Sequence, residues 1–205
     1  MSEAHAISRR ARAREDKLRR ITQATRELFR TQGFDATTTA QIAERADVAK
    51  GTIFRYAPTK ERLLVLMFED DIRQIIDKTL QPISADMPVV DTLVTFFMRF
   101  FRLYEDNLEL ARRFVREEMF LASDDNPLST LMQDFTHQLA DIIRMWQKAG
   151  RIVEDVDALL AAQTTFGLYF VVLISWFSGR VPDSQTRDAF LVNGLTLHWR
   201  GLIVE

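Results

Sequence analysis

The sequence predicts an all-α protein of about nine helices, in which an N-terminal three-helix helix-turn-helix domain precedes a C-terminal helical domain. Three observations predict this class. Apolar residues recur at helical spacing through most of the chain. No run alternates apolar and polar residues as a half-buried strand would. The 205 residues include only 7 Gly and 5 Pro, so long helices fit between few breakers.

The first elements follow from local signals. Residues 1–15 are polar and rich in arginine, which indicates a flexible arm or a fraying helix start. An apolar stripe predicts a helix from near Asp16 to Gln32, and Gly33 suits the left-handed conformation of its C-cap. One of the threonines at 37–39 should cap a short second helix, with Gln41 or Glu44 favouring its first turns.

The next elements are punctuated by a turn and a proline. Asp47 and Val48 follow the second helix near Ala46 and are expected to form a tight turn. A third short helix then covers Ala49 to Tyr56, and Ala57-Pro58 stops it, because a residue before proline is pushed out of the helical region. Thr59 is placed to cap a fourth helix that continues to about Leu80.

Five further helices are expected beyond Pro82 and Pro88. Stretches rich in Gly, Pro, Ser and Asp separate them. They run roughly over Val89–Glu105, Asn107–Leu121, Leu128–Ala149, Val156–Gly179 and Ser184–Ile203.

Charge and composition limit the function. From Met1 to Arg62 there are 14 Lys and Arg against 8 Asp and Glu, and the remainder holds 13 against 21, so balances of +6 and −8 give the net −2. A basic head on an acidic body predicts a polyanionic partner for the head alone. The chain has no Cys, which excludes disulfides and thiolate sites. No apolar stretch follows the N-terminal arginines, so we expect no signal peptide and a cytoplasmic protein.

The stretch from Thr38 to Tyr56 has the spacing of a helix-turn-helix. Ala43 is small where two helices would cross, and Asp47 lies four residues later at the turn, where a left-handed backbone is usual. Val48 and Ile53 are apolar where the second helix must bury against the first. Such a unit presents its second helix to the major groove of DNA.

Here the sequence resembles the TetR family of transcriptional regulators. The residues that carry the resemblance are Arg20-Ile21, Leu28-Phe29, Gly33-Phe34, Thr37-Thr38-Thr39, Ile42-Ala43, Ala46, Val48, Lys50-Gly51-Thr52-Ile53-Phe54, Tyr56 and Lys60-Glu61-Arg62-Leu63. The resemblance implies a basic arm at 1–15, a DNA-binding domain at 16–62, and a helical ligand-binding and dimerisation domain at 63–205. Asp47, Phe54 and Ala57 depart from the family pattern, which commonly has Gly, Tyr and Phe at these positions.

The resemblance also implies a set of DNA contacts. They are Thr39, Lys50, Gly51, Thr52, Phe54, Arg55, Tyr56 and Lys60. Lys50 can reach base edges or phosphate, and Gly51 allows close approach to the duplex. For Arg55, a bidentate guanine contact and a phosphate contact stay open as alternatives. Tyr56 and Lys60 resemble the family's phosphate clamps.

The C-terminal domain is rich in aromatic residues and methionine. A cavity there would favour an apolar or aromatic small molecule held by a few polar groups. The candidate ligand contacts are Phe100, Tyr104, Phe114, Met119, His137, Gln163, Phe166 and Phe170. Ordinary core packing is the open alternative for each aromatic ring, and a satisfied or exposed imidazole is the alternative for His137.

The run from Leu159 to Phe177 is apolar and about as long as a membrane span. It contains polar residues and lies in an otherwise amphipathic chain, so we expect a buried core helix and no membrane association. Its face of smaller residues and one side of the last helix predict a four-helix interface in a homodimer, as the resemblance also implies. The predicted interface residues are Ala161, Thr165, Leu168, Val172, Leu191, Gly194, Leu195 and His198.

No set of residues predicts catalysis. His5, His137 and His198 lack metal-site spacing, and no nucleophile elbow, phosphate loop or dinucleotide fingerprint occurs. We therefore expect no catalytic residues, no metal and no cofactor. The predicted function is a homodimeric regulator that binds a palindromic operator in double-stranded DNA, most simply as a repressor.

Two kinds of control of that regulator stay open. The resemblance implies that a small apolar or aromatic effector moves the helix beginning near Lys60 and so releases the operator. The alternative is a DNA-binding regulator without small-molecule sensing, either constitutive or controlled by a protein.

Overall fold

A computed structural model describes residues 2–120 and 127–204, with side chains from 12–118 and 129–204. Within these ranges the chain forms nine α-helices, and the predicted all-α class is confirmed. The helices are α1 (Ser2–Gln32), α2 (Thr39–Arg45), α3 (Lys50–Tyr56), α4 (Lys60–Leu80), α5 (Val89–Glu105), α6 (Leu108–Phe120), α7 (Pro127–Lys148), α8 (Ala158–Phe177) and α9 (Ser184–Trp199). A single antiparallel bridge in the described part pairs Ile152 with Ile203.

Helix α1 begins at Ser2, well before the expected start near Asp16. Residues 1–15 are mostly Ala, Arg, Glu and Ser, and most of these residue types favour helix. The sequence analysis missed this part of α1 because it lacks the apolar stripe by which helices were predicted. At the other end, Gly33 adopts φ +83° and its N–H donates to the Phe29 carbonyl at 3.1 Å. The predicted glycine C-cap is therefore confirmed.

The caps of the next helices come from threonines. The Thr38 hydroxyl accepts from the Gln41 N–H at 3.2 Å, and the Gln41 side chain accepts from the Thr38 N–H at 2.8 Å. This capping box satisfies two helix-terminal donors at once. Thr59 caps α4 as expected, because its hydroxyl accepts from the Arg62 N–H at 3.1 Å.

The structure divides into two compact units. The first combines the chain up to Asp71 with α6, and the second combines Ile72–Asp106 with the described residues from Pro127 onward. Helix α4 therefore contributes to both units, whereas the sequence placed the boundary between Arg62 and Leu63. Helix α6 joins the first unit because Phe114 stacks on Phe68 of α4 with ring centroids 4.5 Å apart.

In the second unit, α8 packs against both α7 and α9, and α5 packs against α9. The interior is largely aromatic: Tyr169 lies 4.7 Å from Phe97 and 5.3 Å from Phe101 between ring centroids. Among the described helices, α8 alone is long and apolar enough to cross a membrane. Its residues Ala162, Thr165 and Tyr169 are buried inside the unit, and 33% of its apolar window is buried in all.

Candidate nucleic-acid interface and effector domain

Helix α3 is held on the first unit by its buried side. Ile53 and Ala57, four residues apart on one face, have no exposed surface, and the Ala57 N–H donates to the Ile53 carbonyl at 2.8 Å. Arg55, two residues from Ile53 and so on the opposite face, is exposed, and so is Lys50 at the start of the helix. A short helix with one apolar anchor and an outward cationic face is what a major groove can accept.

The turn before α3 has the geometry that the sequence predicted. Asp47 adopts φ +52°, the left-handed conformation, and the Val48 N–H returns to the Ala43 carbonyl at 3.0 Å. Arg20 of α1 fixes this turn: its Nη1 donates to the Asp47 carbonyl at 3.1 Å and lies 3.3 Å from Asp47 Oδ2. The angle between α2 and α3 is thus secured from outside the motif.

Most predicted DNA contacts are accessible. Lys50, Gly51, Phe54 and Arg55 are exposed, and Thr39, Thr52 and Tyr56 are partly exposed. A Cβ added at Gly51 would meet no protein atom within 4 Å. No internal contact of the described residues therefore requires glycine at this position.

Lys60, a predicted phosphate contact, is bonded within the protein. Its Nζ donates to the carbonyls of Phe34, Asp35 and Thr37 at 2.7, 3.2 and 3.1 Å, and it lies 4.4 Å from the Phe34 ring centroid. An ammonium has three donors, and the loop after α1 uses all of them. Lys60 therefore fastens α4 to this loop, and its contact with a phosphate stays a prediction.

Other cations of the first unit also have structural partners. Arg26 lies 2.5 Å from Asp71 and 3.3 Å from Asp70, which ties α1 to α4. Arg45 lies 2.6 Å from Glu27, and this ion pair raises the pKa of Arg45 further above its usual value. The basic balance of the head therefore overstates the charge that is free to meet DNA.

The predicted ligand contacts do not form one group. Phe100 and Phe166 both lie beside Tyr169, with ring centroids 5.8 and 5.9 Å away, and Tyr104 is also buried in the second unit. Phe170 stacks on Phe166 at 6.1 Å and is partly exposed.

The remaining predicted ligand contacts are placed elsewhere. Gln163 and His137 are exposed, and His137 Nδ1 lies 2.9 Å from the carbonyl of Gln133 in its own helix. Phe114 belongs to the first unit. The side chain of Met119 lies outside the described residues.

A buried arginine was missed by the sequence analysis. Arg187 of α9 is 2% exposed, and its guanidinium lies 4.3 Å from the ring centroids of both Phe101 and Trp176. Its Nη1 lies 2.8 Å from Glu105 Oε1, and its Nε and Nη2 donate to Asp188 Oδ1 at 2.8 and 2.6 Å. The only sequence signal was an Arg-Asp pair in the first turns of an otherwise partly apolar helix.

Two buried phenols lie in the same interior. Burial raises the pKa of Tyr104 to about 12, and its hydrogen bond with Tyr169 opposes that rise. Burial also raises the pKa of Tyr169 well above its usual value. Both phenols therefore stay neutral at physiological pH and provide hydrogen-bonding groups inside an apolar region.

Most of the predicted dimer residues are buried within the single chain. Ala161, Thr165, Val172, Leu191 and Leu195 are buried within the single chain. They lie on two helices that pack against each other inside one protomer, and their role in a dimer stays a prediction. Leu168, Gly194 and His198 keep partial exposure.

An exposed apolar stripe lies on the outer side of the same two helices. Leu160 and Val171 of α8 are 58% and 64% exposed, and Phe190 and Leu197 of α9 are 55% and 76% exposed. The residues of each pair are a whole number of turns apart and so share a face. Helices α8 and α9 contact each other, and His198 Nε2 lies 3.2 Å from Thr164 Oγ1 across them.

The described residues contain no group of three or more His, Cys, Asp or Glu side chains that could hold a metal ion. The interface therefore has to be understood from its cations, hydroxyls and helix geometry.

Known proteins share both the head and the fold. The family of bacterial regulatory proteins, tetR family, matches residues 21–67, from α1 into α4. The Fatty acid metabolism regulator protein of Bacillus subtilis is 24% identical over 183 residues, covering 88% of this chain and 92% of the relative. The HTH-type transcriptional repressor KstR of Mycolicibacterium smegmatis is 39% identical over 67 residues, 33% of each chain.

A solved structure extends the likeness to the whole chain. FadR of Thermus thermophilus, a TetR family transcriptional repressor in complex with lauroyl-CoA, superposes with a TM-score of 0.68 at 22% identity, over 92% of this chain and 96% of that one. The sequence match therefore covers the helix-turn-helix, and the likeness of fold covers the helices that follow it. The chain therefore carries, at residues 21–67, the segment matched by the tetR family of bacterial regulatory proteins, and the chain as a whole is similar in fold to a TetR family repressor.

Proposed function

We propose that the protein is a cytoplasmic repressor that binds a palindromic operator as a homodimer and is released by a small apolar ligand. The observation that carries DNA binding is the orientation of α3. Its apolar residue Ile53 is fully buried, while Lys50 and Arg55 face outward. One such helix reads only a few base pairs, so a symmetric pair on successive major grooves supplies the specificity that an operator requires.

The exposed stripe on α8 and α9 supports the homodimer. Soluble monomers rarely leave a contiguous row of large aliphatic and aromatic side chains in water. A two-fold axis beside this stripe would bury Leu160, Val171, Phe190 and Leu197 against their copies in a four-helix arrangement.

A substitution at the stripe tests the dimer. Leu197→Arg would place like charges near the two-fold axis, so we expect a monomer by analytical ultracentrifugation and loss of operator binding. Thr196→Arg, at the neighbouring exposed position of α9, is the matched control and should remain dimeric. A Leu197→Arg protein that still sediments as a dimer would remove this stripe from the interface.

The aromatic interior of the second unit supports an apolar effector. Phe100, Phe166 and Tyr169 come together there, and the neutral phenols of Tyr104 and Tyr169 offer the few polar groups that fix a ligand. The relatives point to fatty acyl compounds: one is named for fatty acid metabolism and another binds lauroyl-CoA. Long-chain acyl-CoA thioesters are therefore the first class to test.

Release of the operator requires that the effector bind the DNA-incompetent conformation more tightly than the DNA-binding one. A ligand that binds the DNA-incompetent conformation about 10–100-fold better contributes about 1.4–2.7 kcal/mol toward release. Helix α4 belongs to both units and is the natural element for this coupling.

The decisive experiment is an operator-binding titration with and without acyl-CoA. The operator is first selected from the DNA upstream of the gene, and binding is followed by fluorescence anisotropy. We expect C12 to C18 acyl-CoA to weaken operator binding and to raise the melting temperature of the free protein, while CoA alone does neither. Absence of binding to any fragment would refute the regulator, whereas binding without an acyl-CoA response would refute only the effector class.

The packing of the interior favours one second candidate, a regulator without small-molecule sensing. Phe97 stacks on Tyr169 at 4.7 Å and Phe96 stacks on Phe135 at 5.2 Å, so these rings already occupy one another's surfaces. A ligand would have to displace some of them. If a broad panel of apolar compounds leaves both the melting temperature and operator affinity unchanged, this second candidate is the correct one.

A further inference from the structure

We propose that Arg14 and Lys17 of α1, together with Arg55 of α3, form a clamp for the DNA phosphate backbone. Its two α1 residues lie outside the helix-turn-helix, since the family match begins at residue 21. The inference rests on the operator binding proposed above and assigns α1 a direct role in it.

The geometry begins with a cleft in the first unit. Arg14, Lys17 and Arg55 line it, together with Ala13 and Tyr56. Arg14 and Lys17 are three residues apart and so project from the same face of α1. The cleft therefore brings cations from two helices to one surface.

Tyr56 holds the two helices together at this point. Its hydroxyl donates to the backbone carbonyl of Arg14 at 3.2 Å, which joins the last turn of α3 to α1. The cations are thus carried by two joined helices, so little backbone entropy is lost when an anion binds.

The three cations of the clamp differ from neighbouring arginines in their ion pairs. Arg19 and Arg20 on the same helix lie 2.6 and 3.4 Å from Asp16. Within the part of the chain that the structure describes, no ion pair involves Arg14, Lys17 or Arg55, and all three are exposed. Arg55 makes only a long contact, 3.5 Å from Thr52 Oγ1.

The cleft lies beside α3, where the DNA backbone would pass. A helix about 10–12 Å in diameter fills a major groove about 12 Å wide, so the sugar-phosphate strands pass along its flanks. The cleft adjoins the C-terminal end of α3. A backbone phosphate reaching it would meet guanidinium groups, which bind phosphate with paired hydrogen bonds, and an ammonium.

The experiment measures the salt dependence of binding. Arg14→Gln/Lys17→Gln is titrated against the selected operator and against a short duplex of arbitrary sequence, from about 50 to about 200 mM salt. Glutamine favours helix nearly as well as the residues it replaces, so α1 should be retained, which circular dichroism checks. The matched control is Lys148→Gln/Arg180→Gln, which removes the same charge from exposed positions of the second unit.

We expect the variant to weaken binding to both duplexes by the same factor, because phosphate contacts carry no sequence information. The slope of log K against log salt should fall by about 2 for each substituted position, since a symmetric dimer loses each contact twice. The control should leave the slope unchanged.

Two results would overturn the clamp, and they are distinguishable. If the unmodified protein binds and the variant keeps the same slope and affinity, the clamp is refuted while the operator-binding function stands. If the unmodified protein binds neither duplex, both proposals fall together.

Discussion

A single aspartate, Asp47, forms the turn that leads into helix α3. Asp47 takes the left-handed conformation at φ +52°, which costs most residues about 1–2 kcal/mol and aspartate somewhat less. Arg20 offsets part of that cost through the Asp47 carbonyl and carboxylate. The family's usual glycine would avoid the steric cost and keep only the carbonyl contact.

Variants at this position separate the two effects. We expect the free energy of unfolding to rank Asp47→Gly first, the native Asp47 second and Asp47→Ala last, with about 1 kcal/mol between the glycine and alanine variants. Urea unfolding of the three proteins measures this order. An alanine variant as stable as the glycine one would mean that the turn carries no left-handed strain.

Gly51 gives a second prediction, with opposite effects on folding and binding. A methyl group at this helical position meets no protein atom within 4 Å, so Gly51→Ala should raise the free energy of unfolding by up to about 1 kcal/mol. The same methyl group would stand between α3 and the duplex and should weaken operator binding. Anisotropy titration and urea unfolding report the two effects, and unchanged affinity would place the duplex elsewhere.

At the residue scale, sequence reasoning worked where the signal was local. The left-handed Asp47, the Gly33 cap and the Thr59 cap all follow from neighbours a few residues away. The hydrogen bonds of Lys60 could not be predicted, because its carbonyl partners lie 23 to 26 residues earlier in the chain. No spacing rule shows such a contact.

Among the elements, α5, α8 and α9 are joined by one guanidinium. Arg187 of α9 lies between the rings of Phe101 of α5 and Trp176 of α8, and its ion pair with Glu105 reaches the last residue of α5. A planar, delocalised cation suits this position because both of its faces meet aromatic rings while its edge meets carboxylates.

Removing that cation should loosen the second unit. We expect Arg187→Met to lower the free energy of unfolding by about 3 kcal/mol, because the ion pairs and both ring contacts are lost together. Arg187→Lys should restore only part of this, since an ammonium has neither the plane nor the fork. Arg180→Gln, at an exposed loop position, is the control for lost charge. Full rescue by lysine would reduce the role of Arg187 to that of a point charge.

Element boundaries were predictable where breakers mark them, and helix orientation was not. Gly, Pro and Asp at the gaps placed the ends of α4, α5 and α9 close to where they occur. Helix α8 is apolar on every side, so its period could not show which side faces outward. The smaller residues such as Ala161 and Thr165 were predicted to face a partner, and they are buried inside the protomer.

For the whole molecule, His198 links stability to pH. Burial lowers its pKa from 6.5, so the unfolded chain takes up a proton at a higher pH than the folded chain. Stability is therefore unaffected well above pH 6.5 and decreases as the pH falls through that value, until the folded histidine also protonates.

The difference between native protein and His198→Gln tests this link. We expect the difference in free energy of unfolding, measured in urea at pH 7.5 and at successively lower pH, to shift against the native protein below pH 6.5. Taking the difference cancels the titration of carboxylates common to both proteins. A difference independent of pH would show that this imidazole titrates alike in both states.

The division between engaged and unengaged cations bears on how such a head can change over evolution. Arg20, Arg26 and Lys60 hold helices and loops together, so altering them costs folding. Among the described residues, no ion pair involves Arg14, Lys17 or Arg55, and the one hydrogen bond of Arg55 is long at 3.5 Å. These three can therefore be exchanged one at a time, which changes the affinity for nucleic acid at little cost in stability. Fold stability and affinity for DNA thus depend on separate sets of cationic side chains.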